Sequence, residues 1–233
     1  DLTPLSYVAA TLSGEREVMF NGERRLAADV QRELDWTPLV LRPKEALALM
    51  NGTAVMTGLA CLAYARADYL LKLATRITAL NVVALQGNPE HFDERLFAAK
   101  PHPGQMQVAA WLRQDLAIDA PTAPLHRLQD RYSLRCAPHV LGVLADSLSW
   151  LRGFIEVELN SANDNPIIDA EEERVLHGGH FYGGHIAFAM DSLKTLVANV
   201  ADLLDRQLAL LVDVRYNHGL PRNLSRASAE RAL

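Results

Sequence analysis

The chain has 233 residues, of which 49% are hydrophobic and 22% charged, a balance typical of a folded soluble protein and unlike that of a disordered one. Its formal net charge of −5 and its scattered arginines form no basic stripe, so we expect no nucleic acid partner. Cys61 and Cys136 lie far apart without Cys-x-x-Cys spacing, which favours reduced thiols in a cytoplasmic protein, although two cysteines also allow one disulfide.

The first element that the sequence predicts is a small β-hairpin. Residues 17–20 and 23–26 flank Asn21 and Gly22, a dipeptide suited to a tight hairpin turn. Strand signals elsewhere are few. We therefore expect a mainly α-helical protein with one small hairpin.

A long helical pattern follows the hairpin. From Pro43 to Leu85, apolar residues recur at three- and four-residue spacing, which predicts one helix or a kinked pair of helices. Asn51, Gly52 and Thr53 interrupt this pattern with residues that disfavour a helix interior. They indicate either a cap, with Asn51 accepting from the first amides of the next helix, or a contact with a ligand.

Further helices are predicted along the rest of the chain. Periodic segments cover residues 105–116, 138–158 and 185–214, with breaks rich in turn residues at 101–104 and 121–125. The last segment would be roughly 45 Å long if unbroken. Such lengths favour a bundle of long helices.

The organisation of the chain is simple. No repeat or linker divides it, so we predict a single helical body over residues 1–233. Apolar runs such as 59–65 are far shorter than the roughly 20 residues of a membrane span, so we expect no membrane partner. The chain opens on Asp1 with no methionine before Met19, and we expect it to be a fragment of a longer protein.

Three polar side chains in the segment 129–135 form a candidate site for an amino acid. Gln129, Tyr132 and Arg135 stand at i, i+3 and i+6, a spacing that aligns side chains on one face of a helical turn. An arginine fork holds a carboxylate with two parallel hydrogen bonds, and the phenol and the amide can bond beside it. The alternative is a surface ion pair plus a buried tyrosine.

An asparagine-rich segment follows the helix predicted over residues 138–158. Residues 160–166 contain three Asn, one Ser and one Asp, and turn chemistry explains most of this composition. Their short polar side chains can also orient an arginine or tyrosine from another helix, which is the role that we favour. We expect residues 160–184 to form a structured loop with a short strand pair.

A glycine-rich loop carries three histidines. His177, His180 and His185 lie within nine residues and could form a zinc site. No carboxylate or cysteine pattern accompanies them, so we favour a pocket-lining aromatic loop and expect no metal. The phosphate-binding loop, the Gly-x-Ser-x-Gly elbow and the His-Glu-x-x-His motif are all missing from the sequence.

Separated motifs give the chain a family resemblance. In order, they are Asp1, Leu2, Pro4, Leu5; Lys44, Glu45, Ala46, Leu47, Ala48, Leu49 with Asn51, Gly52, Thr53; Pro101, His102, Pro103, Gly104, Gln105; Tyr132, Ser133, Leu134, Arg135, Cys136; Asn163, Asp164, Asn165, Pro166; and Gly219, Leu220, Pro221. Over almost its whole length the chain resembles the aromatic amino-acid ammonia-lyases and aminomutases. Members of this family act on histidine, phenylalanine or tyrosine.

The resemblance implies a fold and a cofactor. The fold would be mainly α, of the fumarase and aspartase type, with long antiparallel helices in a homotetramer whose subunits share active sites. In this family an Ala-Ser-Gly triplet cyclises into the electrophile 4-methylideneimidazole-5-one (MIO), and an Asp-Leu pair follows it. MIO would therefore form just before Asp1, with the tyrosine base also upstream and a further glutamate or glutamine beyond Leu233.

The resemblance also implies roles for residues of this chain. Arg135 would bind the substrate carboxylate, and Asn51 would contact the electrophile and the carboxylate region. Together with Tyr132, they are the implied catalytic residues. Elimination of ammonia from an aromatic L-amino acid would then give an α,β-unsaturated acid, because the electrophile makes ammonia a better leaving group.

The remaining implied residues bind substrate, and two positions depart from the family pattern. Gln129 would line the site beside Tyr132, Asn165 would support Arg135, and Phe181 would pack on the substrate or on the ring of the electrophile. Many members have Asn where this chain has His180, and histidine-specific lyases commonly have His at the position of Tyr182.

Several functions remain open from the sequence. An aromatic amino-acid 2,3-aminomutase has the same motifs and returns the ammonia to the β-carbon. A non-catalytic helical protein that binds metal through the three loop histidines is an alternative from another class. A fumarase-like lyase is disfavoured because its Gly-Ser-Ser loop is missing.

Overall fold

Most of the chain is helical. The computed structural model describes residues 1–117 and 128–226, so the predicted break at 121–125 lies outside the described residues. The α-helices are α1 (Leu2–Leu12), α2 (Ala27–Glu33), α3 (Glu45–Met50), α4 (Ala54–Ala84), α5 (Glu94–Ala98), α6 (Pro103–Leu116), α7 (Tyr132–Arg135), α8 (Ala137–Leu159) and α9 (Gly184–Val212). Short 3₁₀ helices cover Pro89–Phe92 and Arg222–Leu224. The mainly α prediction is confirmed.

Two antiparallel strand pairs complete the secondary structure. Strands β1 (Glu17–Phe20) and β2 (Glu23–Leu26) pair with Phe20 opposite Glu23, as the sequence predicts. The two turn residues between them, Asn21 and Gly22, have φ angles of 52° and 84°, as a hairpin turn that matches the strand twist requires. Strands β3 (Ile167–Asp169) and β4 (Arg174–Leu176) form the short pair expected within residues 160–184.

The chain forms two compact units. Unit 1 contains residues Asp1–Leu62 and Gly153–Phe188, and unit 2 contains Ala63–Arg152 and Ala189–Leu233. The boundaries fall inside α4, α8 and α9 rather than in linkers. The single helical body expected from the sequence stays a prediction.

Unit 1 combines the β1–β2 hairpin, the strand pair β3–β4 and the short helices. Helix α1 packs on α3, and α2 packs on the hairpin. Gln31 of α2 is buried and donates from Nε2 to the carbonyls of Thr11 and Leu12, 2.9 and 3.1 Å away, at the end of α1. Glu158 accepts a hydrogen bond from Thr53, and Phe154 lies against His185, so the end of α8 lies beside the starts of α4 and α9.

Unit 2 holds the larger apolar core. Its fully buried large apolar side chains include Phe92, Phe97, Leu112, Leu116, Leu141, Leu144 and Leu151. Helices α6 and α8 cross at Gly104 and Gly142, where a Cβ added to Gly142 would lie 2.6 Å from the backbone nitrogen of Gln105. Only residues without side chains allow two helix backbones to come this close.

One helical stretch of the chain is apolar over an unusually long window. The segment Glu45–Ala84 includes an 18-residue window of mean hydropathy 1.6, long and apolar enough to cross a membrane by length and composition alone. This value is a mean over a window that includes polar residues, so the expectation of no membrane partner, which rested on uninterrupted apolar runs, stays a prediction. A single stretch of this kind is a weak indication of a membrane span, since core helices of soluble proteins have the same composition.

Candidate functional site

The three side chains singled out in segment 129–135 line one cavity of unit 2. The cavity has a volume of about 570 Å³, and its lining includes Gln129, Tyr132 and Arg135. The predicted helical turn covers only part of this segment, because α7 begins at Tyr132 and Gln129 lies in a bend before it. The reason is that Arg131 is extended, with φ −62° and ψ 153°, between the bend and the helix.

Arg135 has an open guanidinium edge. Its Nε donates to the carbonyl oxygen of Asp130 at 3.0 Å, and its Cζ lies 4.6 Å from the centroid of the Tyr132 ring. No described residue accepts a hydrogen bond from its two Nη nitrogens. Tyr132 is 75% exposed. The alternative of a surface ion pair plus a buried tyrosine is therefore wrong for the described residues.

Asp130 connects the cavity to the loop before the 3₁₀ helix Pro89–Phe92. Its Oδ2 accepts a hydrogen bond from the backbone N–H of Asn88 at 2.6 Å, and its own N–H donates to Nε2 of His91 at 2.9 Å. No pattern in the sequence indicates a role for Asp130, Asn88 or His91. Because Asp130 and His91 lie 39 positions apart, no local pattern in the sequence links them.

A buried amide supports the turn that carries Tyr132 and Arg135. Gln207 of α9 is fully buried, and its Nε2 donates to the carbonyl of Ser133 and to Oγ1 of Thr78, both at 2.9 Å. Its Oε1 accepts from Nδ2 of Asn81 at 2.7 Å. Gln207 follows the buried Val200 and Leu203 at three- and four-residue spacing, so a polar residue at a core position of α9 is the one signal in the sequence for this role.

In unit 1, Asn51 is held by an aspartate. Its Nδ2 donates to Oδ1 of Asp164 at 2.9 Å, and the other oxygen of Asp164 pairs with Lys44. Burial opposes ionisation of Asp164, but hydrogen bonds from Lys44, Asn51 and the backbone N–H of Asn165 outweigh it and lower the pKa of this carboxyl below its usual range. The lowered pKa keeps Asp164 ionised further into the acidic range than an ordinary aspartate.

The capping interpretation of Asn51 is wrong, because among the described residues its side chain bonds to Asp164 and accepts from no N–H of α4. The N–H of Met56, in the first turn of α4, donates to Oδ2 of Asp1 at 2.8 Å. Asn51 instead follows the last residue of α3 and directs its amide to Asp164. Its side chain therefore takes part in a polar cluster, which leaves contact with a ligand as the prediction for its role.

The asparagine-rich segment orients polar groups within unit 1, but its partners there are Lys44, Asn51, Thr53 and the backbone of Gly178 rather than the arginine or tyrosine that we expected. Asn163 donates to Oγ1 of Thr53 at 2.7 Å, and Thr53 donates to Glu158 at 2.6 Å. Asn165 accepts from the N–H of Gly178 at 2.8 Å. Since Asn165 belongs to unit 1 and Arg135 to unit 2, the support of Arg135 by Asn165 stays a prediction.

The histidine loop shows no metal geometry within the part of the chain that the structure describes. No group of three or more His, Cys, Asp or Glu side chains there could hold a metal ion. His185 packs edge-on against Phe154 with ring centroids 5.0 Å apart, while His177 and His180 are exposed. Phe181 is also exposed within this loop, so its contact with substrate stays a prediction.

Comparisons with known proteins all point to one family. A family model described as aromatic amino acid lyase matches residues 1–232. Histidine ammonia-lyase of Geobacillus kaustophilus is 41% identical over 227 residues, which cover 97% of this chain and 45% of that protein. Tyrosine 2,3-aminomutase of Chondromyces crocatus is 41% identical over 249 residues, with coverage of 97% and 47%.

A solved structure agrees with these sequence matches. The phenylalanine aminomutase of Pantoea agglomerans superposes with a TM-score of 0.91 at 33% identity, covering 98% of this chain and 48% of that one. The chain therefore spans about half the length of the relatives that it matches.

Proposed function

Because this chain belongs to the aromatic amino acid lyase family, we propose that it contributes to an ammonia-lyase site that eliminates ammonia from an aromatic L-amino acid and gives the α,β-unsaturated acid. The observation that carries this proposal is the open guanidinium edge of Arg135 in the cavity of unit 2. Histidine ammonia-lyases among the similar proteins support a lyase as the first choice.

The side chains of the cavity fit the carboxylate end of an amino acid. The Nη nitrogens of Arg135 can donate two parallel hydrogen bonds to a carboxylate, the geometry that an arginine fork is best suited to form. The Tyr132 ring lies against the guanidinium and restricts its rotation. Gln129 lines the same cavity and can donate from its amide beside the carboxylate.

We further propose MIO as the cofactor, formed from an Ala-Ser-Gly triplet that precedes Asp1. This electrophile supplies activation of the substrate amino group as a leaving group. The residues present fit such a group, because the Asp1 carboxylate is fixed by the N–H of Met56 at the start of α4 and an oriented amide, Asn51, ends the neighbouring helix α3. In this proposal Asn51 donates to the electrophile, and Asn165 and Phe181 complete the site.

A homotetramer with shared active sites is proposed as the assembly. The long helices expose large apolar side chains, as expected of surfaces that a partner covers. Those exposed side chains are Leu59, Leu62 and Leu80 on α4, Val143 and Val157 on α8, and Phe188 and Leu208 on α9. We propose that other subunits, rather than a membrane, cover these faces, that the protein is cytoplasmic, and that it binds no nucleic acid. Light scattering after gel filtration tests the assembly.

The activity is tested on the full-length protein that contains this chain. Histidine, phenylalanine and tyrosine are supplied separately, and the ultraviolet absorbance of urocanate, cinnamate or coumarate is followed, with chromatography for β-amino acids. We expect an unsaturated acid from at least one substrate. Failure to form either kind of product from all three amino acids would overturn the proposal.

A second candidate is an aromatic amino-acid 2,3-aminomutase. The observation that favours it is the 41% identity to tyrosine 2,3-aminomutase, equal to that of the histidine ammonia-lyase from Geobacillus kaustophilus. The same assay separates the two functions, because an aminomutase accumulates a β-amino acid and a lyase releases the unsaturated acid.

A further inference from the structure

We propose that Asp130 and His91 are positioning residues that direct the terminal edge of Arg135 toward the substrate carboxylate. This inference rests on the proposed function. It starts from the hydrogen bonds of Asp130, whose backbone N–H, carboxylate and carbonyl are all engaged. Hydrogen bonds at the N–H and the carboxylate restrain the orientation of Asp130. Its carbonyl oxygen therefore has a defined position, at which it accepts from Nε of Arg135.

His91 provides the acceptor for the backbone N–H of Asp130. That N–H can only donate, so Nε2 of His91 is the acceptor in this hydrogen bond, and the same nitrogen lies 3.7 Å from Oδ2 of Asp130. The His91 side chain is 17% exposed, which limits competition from water. Without this acceptor, the N–H of Asp130 would lose its partner in a largely buried place, and the bend before α7 would relax.

The segment 88–92, a loop that includes the 3₁₀ helix with His91, is itself fixed. Asn88 donates its backbone N–H to the Asp130 carboxylate, and its own side chain accepts from the N–H of Glu90 at 2.9 Å. The loop therefore contacts both the backbone and the side chain of Asp130. Two contacts from one rigid turn define where Asp130 lies.

The consequence concerns which edge of Arg135 is available. A guanidinium can hold a carboxylate through Nε and one Nη or through its two Nη nitrogens. Because Nε already donates to the Asp130 carbonyl, the Nη1–Nη2 edge is the one that the described residues leave free for a bidentate contact. Asp130 and His91 thus set the direction from which the carboxylate binds.

The test uses His91→Leu, which removes the acceptor, and His91→Gln, whose amide oxygen can replace Nε2, both in the full-length enzyme. Glu90→Gln is the matched control, since Glu90 lies on the same turn with an exposed side chain. For each variant we measure kcat and KM with the best of histidine, phenylalanine and tyrosine. Inhibition by the unsaturated acid is compared with inhibition by the decarboxylated amine of the same substrate.

We expect His91→Leu to raise KM about 10- to 100-fold while kcat changes much less, as for other residues that orient a binding group. Inhibition by the acid should weaken by a similar factor, and inhibition by the amine should not change. His91→Gln should restore KM to within about threefold of the parent. Glu90→Gln should match the parent in all measurements.

Other outcomes would overturn the assignment. The assignment fails if His91→Leu weakens inhibition by the acid and by the amine equally, or if it changes nothing. It also fails if His91→Gln is as impaired as His91→Leu. If His91→Leu does not fold, His91→Asn replaces it, because its shorter amide cannot reach the Asp130 N–H. A parent enzyme that turns over none of the three amino acids would instead overturn the proposed function.

Discussion

Each unit fixes one proposed site residue with an aspartate, but the two aspartates act through different groups. In unit 1, Asp164 uses its carboxylate to accept from Asn51, and the cation of Lys44 balances its charge. In unit 2, Asp130 uses its backbone carbonyl to hold Arg135 and directs its carboxylate to a backbone N–H instead.

The difference explains how a charge can be oriented without being neutralised. Had the Asp130 carboxylate faced Arg135, an internal ion pair would compete with the substrate carboxylate for the guanidinium. A carbonyl fixes the same side chain and leaves its net charge available. Asn51 carries no charge that a substrate needs, so a direct carboxylate contact in unit 1 has no such cost.

The largest expected effect follows from removing the Arg135 guanidinium, the proposed partner of the substrate carboxylate. Arg135→Ala should reduce transition-state stabilisation by about 3 to 5 kcal/mol in kcat/KM if the guanidinium holds a desolvated carboxylate. Arg135→Lys keeps the charge but lacks the bidentate fork, and it should fall between the alanine variant and the parent. A loss below about tenfold in the alanine variant would remove this role from Arg135.

A smaller effect is expected from replacing Gln207, the buried amide that supports the turn with Tyr132 and Arg135. Gln207→Leu would leave the carbonyl of Ser133 and the amide of Asn81 without their partner in the core, which should reduce the free energy of unfolding by about 2 to 4 kcal/mol. Urea unfolding of the full-length protein measures this change. Gln107→Leu on the exposed side of α6 is the control and should stay within about 0.5 kcal/mol. Equal effects of the two substitutions would contradict a specific role for Gln207.

Asp164 in unit 1 should make a pH-dependent contribution to the free energy of unfolding. Asp164 has a lowered pKa in the folded state, so its ionised form stabilises the fold above the unfolded value of about 4, and this stabilisation is lost as pH falls through the folded pKa. Asp164→Asn should therefore cost about 1 to 2 kcal/mol at pH 7. The difference between parent and variant in urea unfolding should be smaller at pH 3. A difference independent of pH would show that the charge of Asp164 does not matter.

Local patterns in the sequence predict those parts of the molecule that neighbouring residues determine. The Asn21-Gly22 dipeptide predicts the hairpin with its register, and apolar periodicity predicts α6, α8 and α9 to within two residues at each end. Helices α1 and α2 are absent from the prediction. Helix α2 is only seven residues long, and a stretch this short gives a weak periodic signal.

The partners of the site residues could not be predicted, because they lie far away along the chain. The pair of Lys44 and Asp164 is 120 positions apart, and no short-range pattern joins them. The same limit explains the wrong helical turn at Gln129. Asp130 forms hydrogen bonds with a distant loop that hold the chain in a bend, and such tertiary contacts override local spacing.

The smallest predicted effect tests whether the Asp130 carboxylate is coupled to Arg135. A Cβ added at Gly87 would lie 2.9 Å from Oδ2 of Asp130 and 3.1 Å from Cγ1 of Val82, closer than ordinary contact allows. Gly87→Ala should therefore cost about 1 kcal/mol of stability, because the carboxylate can move by a few tenths of an ångström.

That small movement should also reach substrate binding. If Asp130 sets the direction of Arg135, displacing its carboxylate raises KM for the amino acid about two- to fivefold, with little change in kcat. Gly153→Ala is the control, because its added Cβ meets no atom within 4 Å and should leave KM unchanged. Lower stability of Gly87→Ala with an unchanged KM would mean that the backbone of Asp130 holds Arg135 independently of the Asp130 carboxylate. Asp130 would then differ from Asp164 in acting on its site residue through the main chain only.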